Sequence, residues 1–113
     1  MTTSAFKVFT HDLRSPVQGG APVWDGSLPY VLPPVTVDES DEGCAAGWNA
    51  CREPHVAIQI ASLWPDGRPS RLFRVETAAS VVERGEKLRA ASWTITEEIT
   101  DLRPVLLALH APL

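Results

Sequence analysis

A chain of 113 residues is long enough for one domain with a single modest core and too short for two. Its 44% hydrophobic and 21% charged residues are the balance of a folded protein, which excludes a disordered tail as the main character of the chain. Fourteen acids against ten bases give a net charge of −4, which argues against nucleic acid as a partner, because phosphate contacts need a basic field.

The opening M-T-T-S-A-F-K-V-F-T lacks the basic n-region and apolar h-region of a secretory leader, and no apolar run approaches a membrane span. The expectation is therefore a cytoplasmic protein with reduced thiols and no membrane partner. Residues 5–10 alternate as a first strand, with Phe6 and Val8 on one face and Lys7 and Phe9 on the other. A loop closed by Gly19 and Gly20 follows, then a stretch to Pro34 rich in proline and carrying Trp24 and an Asp25-Gly26 turn signal. Pro33 and Pro34 cannot donate to a ladder, so residues 30–37 read as an edge strand or extended arm, anchored to the core by Trp24 and Tyr30. The acidic loop 38–43 mimics half of a calcium loop, but the twelfth position is Asn49 where a bidentate Glu is needed.

Pro54 suits the first position of a helix, where its missing N–H is not needed, and the pattern predicts a helix as far as Trp64. Strands are predicted at 71–77, 80–84 and 87–97, the last two joined as a hairpin around Arg84-Gly85-Glu86. A short apolar helix over 102–109, with Pro104 in its first turn, closes the chain. These elements add up to one α+β domain over residues 1–113. Its architecture is a mostly antiparallel sheet of about five strands, one packed helix and a short C-terminal helix.

The candidate chemistry is concentrated in residues 44–55, C-A-A-G-W-N-A-C-R-E-P-H, read as a tight loop leading into the helix. Cys44, Cys51 and His55 are conceivable zinc ligands with His11 or an acid as a fourth, although structural zinc sites favour closer cysteine pairs. Two cysteines are too few for a disulfide framework, and packing as free buried thiols accounts for both. Cys51 sits just before a helix N-terminus, where the dipole favours thiolate, so Cys51, Asn49 and His55 are the candidate catalytic residues. Trp48 and Asn49 are candidates for ligand contact, and Arg74, Lys87 and Arg89 for holding the phosphates of a nucleotide. None of the familiar phosphate, metalloprotease or serine-hydrolase motifs occurs, and no cofactor is expected.

The stretch C-A-A-G-W-N-A-C-R-E-P resembles a small bacterial and phage domain family with the pattern C-x-x-G-[FW]-[HN]-x-C-x-x-P. In that family a helix follows the motif, then a strand ending in V-E and a G-[DE]-K turn before a final strand. Arg74-Val75-Glu76 and Gly85-Glu86-Lys87 stand at those places here, and K-V-F-x-x-D-L at residues 7–13 looks like the family's opening strand. The resemblance covers residues 6 to about 100. Many members carry His where this chain has Asn49. The family is of unknown function, sometimes found beside pentapeptide repeats, so the resemblance implies an architecture and no activity. The order of elements is also similar to that of small ADP-ribosyltransferase-like domains, a likeness of fold from which activity does not follow.

Three functions remain in play. The first is a small cytoplasmic binding or accessory domain for a small molecule or protein. The second is a small enzyme, thiol-dependent or handling a nucleotide such as NAD. The third is a structural zinc domain.

Overall fold

Strand β1 (Thr3–Phe9) is the middle of the sheet, and its alternation sorts the whole molecule into two sides. The computed structural model describes residues 2–14, 23–35, 47–61 and 67–109. Ala5 and Phe9 enter one buried cluster, while Val8 and Phe6 enter a second on the opposite face of the sheet. The other strands are β2 (Tyr30–Val31), β3 (Trp48–Cys51), β4 (Arg71–Thr77), β5 (Val82–Arg84), β6 (Lys87–Ala90) and β7 (Thr94–Ile99). They form one sheet in the order β2-β7-β4-β1-β3-β6-β5, every neighbouring pair antiparallel. A radius of gyration of 13.3 Å is what a compact chain of this length should have, about 13 Å.

The architecture is α+β as expected, but the sheet has seven strands where about five were predicted. Residues 48–51, read as a turn, form the strand between β1 and β6. Trp48 favours a strand but Asn49 and Ala50 do not, so the flanking strands on both sides, more than local preference, hold W-N-A-C extended. The predicted strand 87–97 is really two, β6 and β7, broken at residues 91–93. These two strands lie four places apart in the sheet, which in a flat sheet is roughly 19 Å, whereas the link from Ala90 to Thr94 reaches only about 14 Å. The sheet must therefore curl around the first cluster, with Trp93 fully buried at the bend.

A proline-rich arm closes the curl. Val23, Leu28 and Tyr30 pack on the first cluster, of which Trp24 and Leu32 are members, so Trp24 and Tyr30 anchor the arm as the sequence indicates. Trp24 stacks on Tyr30 at 5.6 Å and meets Phe9 and Phe73 edge-on at 4.9 and 5.3 Å. Pro33 and Pro34 have no N–H, and the ladder skips them: Leu32 N donates to Trp93 O at 2.9 Å and Val35 N to Ala91 O at 2.9 Å.

Helices α1 (Pro54–Ala61) and α2 (Arg103–Leu109) cover the other face. Ala57, Ile58 and Val105 join Val8, Leu72 and Cys51 there, with Phe6, Ile99 and Leu102 at the margin. Pro54 does begin α1, and the Asp101 carboxylate accepts from Arg103 N at 3.1 Å to cap α2. The predicted continuation of α1 to Trp64 lies outside the described residues. Gly85, at φ +63°, and Glu86 turn β5 into β6 with Arg84 opposite Lys87, the hairpin the sequence predicts. Among the described residues, no helix is long and apolar enough to cross a membrane.

Candidate functional site

Gly47 opens the site. Its φ of +125° disfavours an L side chain, and a Cβ there would lie 2.7 Å from Arg89 Cγ. The glycine lets the Arg89 side chain lie along the start of β3, where it is only 2% exposed.

Trp48 follows, half-buried. Its Nε1 donates to the Pro33 carbonyl at 2.7 Å, and its own carbonyl accepts from Trp93 Nε1 at 2.9 Å. Two indole N–H groups thus tie the arm, the interior strand and the bend together, as buried or half-buried tryptophans commonly require. Asn49 is fixed at both ends. Its side-chain oxygen accepts from Arg89 Nε at 3.3 Å, and its carbonyl accepts from Lys7 Nζ at 2.5 Å.

Lys7 is the residue that sequence reasoning missed. It stands between Ala5 and Phe9 on the inward face of β1 and is 8% exposed. Its Nζ lies over the rings of Phe9 at 5.5 Å and Trp48 at 5.7 Å. Among the described residues no carboxylate pairs with it. Burial therefore pulls its amine down from the usual lysine range to about 8, opposed slightly by Cys51. A signal was available: inward positions of A-F-K-V-F-T are otherwise apolar, and a lysine in that alternation has to be buried or to bend away.

Cys51, on the helix face among Val8, Ala57 and Ile58, is free and buried. Burial pushes its thiol up, outweighing the nearby Lys7 and Lys87 charges that pull it down. That is opposite to the activation a thiol nucleophile needs. The helix N-terminus lies close in sequence, yet desolvation dominates. His55, half-buried in the first turn of α1, makes no hydrogen bond to Cys51 among the described residues.

The predicted cations separate. Arg89 reaches Asn49, and Lys87 stands opposite Cys51 in the ladder. Arg74 shares that cross-strand row, since it faces Phe6 and Phe6 faces Cys51, but this puts it three strands from Lys87, on the order of 14 Å. It is engaged elsewhere, lying over the Phe6 ring at 5.5 Å and pairing with Glu97 at 2.8 Å. Among the described residues, no group of three His, Cys, Asp or Glu side chains is placed to hold a metal. Cys44 lies outside the described residues, and His11 is exposed. A shallow, open depression follows Val81, Val82, Glu83 and Arg84 at the sheet edge, two strands from Trp48. No protein-family model matches the chain, and neither a curated protein nor a solved structure does.

Proposed function

We propose that the protein is a small cytoplasmic binding or accessory module that acts through the Trp48 corner of the sheet. One observation carries this reading: Trp48 is partly exposed while its polar surroundings are already committed to the framework. Its indole N–H, its carbonyl and both oxygens of Asn49 hold the arm, Trp93, Arg89 and Lys7. What remains for a partner is an indole face on a rigid base, a surface suited to recognition. The likeness to the C-x-x-G-[FW]-[HN]-x-C-x-x-P family fits this reading, because Gly47 and Trp48 of the motif lie at the corner, while Cys51 packs on the opposite face of the sheet.

The test is a thermal-shift screen against nucleotides, metals and small metabolites, since a ligand that binds only the native state raises apparent stability. A hit should be weakened by Trp48→Phe and kept by Cys51→Ala. Turnover of a defined substrate that disappears with Cys51→Ala contradicts the reading. A second reading, a nucleotide-handling enzyme, draws support from the Asn49–Arg89 contact and from Lys87 opposite Cys51. NAD in the same screen tests it, and a shift lost on Arg89→Gln would favour it over the first.

A further inference from the structure

Lys7 lies on the inner side of the Trp48 corner just described, bonded to the Asn49 carbonyl and against the Trp48 ring. Its Nζ is enclosed by Phe9, Trp48 and the Asn49 carbonyl, with no carboxylate partner among the described residues. Trp48 is both in contact with Nζ and partly exposed, so this side chain reaches from the amine to the surface. That side chain is hung on the arm by its hydrogen bond to Pro33. We propose that Lys7 is the protein's amine nucleophile, placed to condense with a small aldehyde admitted past Trp48.

The chemistry balances without any redox partner. The Nζ lone pair adds to the carbonyl carbon, the C=O pair moves to oxygen, and the carbinolamine loses one water to give an imine. A lysine desolvated in an apolar setting is a recognised way to activate this nucleophile, because only the neutral amine attacks. The fall to about 8 gives Lys7 on the order of a hundredfold more neutral amine near neutral pH than an ordinary lysine has. The Asn49 carbonyl accepts one N–H and orients the rest of the group. The titratable group that acts on it is Cys51 on β3; along its cross-strand row stand Phe73 on β4 and then Glu98 on β7, which is paired with Arg71.

The experiment is competitive reductive methylation. The folded protein and the chain unfolded in guanidinium chloride are treated with limiting formaldehyde and cyanoborohydride at neutral pH, and the extent at Lys7 is read relative to Lys87 in each sample by peptide mass spectrometry. The chain has only two lysines, so Lys7 and Lys87 are read separately. Lys7 should react about tenfold faster in the folded protein than in the unfolded chain, the gain in neutral amine exceeding the loss of access. A lysine that is merely buried must react more slowly when folded, so an equal or slower rate overturns the proposal.

Discussion

The two sides of the sheet treat a cation in opposite ways. On the helix side Arg74 is exposed, lies over Phe6 and has Glu97 at 2.8 Å. On the arm side Lys7 is buried beneath Trp48 with a carbonyl and two aromatic rings for company. The first arrangement is cheap and contributes little, because water screens the pair and the side chains lose entropy in forming it. The second is expensive, because an ammonium loses its hydration and aromatic faces recover only part of it. A fold keeps such a charge only where the surrounding packing is strong enough to hold it.

That packing gives the largest expected effect. Trp93→Ala removes a fully buried ring and its hydrogen bond to Trp48 O, and should cost about 3–5 kcal/mol in denaturant unfolding. If it costs no more than an exposed substitution, the arm side is not the stronger core. Next comes Lys7 itself. The unfolded chain holds this proton up to about 10.5 and the folded one only up to about 8, so between those values the unfolded state binds more protons. Stability should therefore rise with pH across that window, by up to roughly 3 kcal/mol, and fall back as pH drops through 8. Cys51 works the other way, since a thiol raised above its unfolded value favours folding below that value and loses the advantage as pH rises. The rise is best measured in a Cys51→Ala background, where Lys7→Met should abolish it.

Gly47→Ala should be smaller, about 1–3 kcal/mol, from a φ of +125° and the approach to Arg89 Cγ. Gly85→Ala, also at positive φ but with open space around it, should cost less than Gly47→Ala. Smallest of all is Arg74→Ala, expected at no more than about 1 kcal/mol and fading with salt.

Much of this was legible in the chain, and what was not has a physical reason. Pro54, the Gly85-Glu86 turn and the alternation of β1 and β4 are local signals, and they marked their elements correctly. Trp48 to Cys51 were missed because that strand is imposed by its neighbours β1 and β6, not by its own residues. The break at residues 91–93 was missed because curling is a property of the whole sheet, invisible to period-two alternation. The pairing of Asn49 with Arg89 depends on that missed register, so the sequence offered candidate residues but not their arrangement. Lys7 was placed on the right face and passed over, because a lysine on a strand is ordinarily solvated.

The contrast between the two sides rests on the state of one amine, and an NMR titration of the Lys7 side chain reads it directly. In the folded protein its resonance should titrate with a midpoint near 8, and in urea near the ordinary value of 10.5. The same midpoint in both states would contradict the account, because it would mean that Lys7 is solvated or paired and that the arm side holds no uncompensated charge.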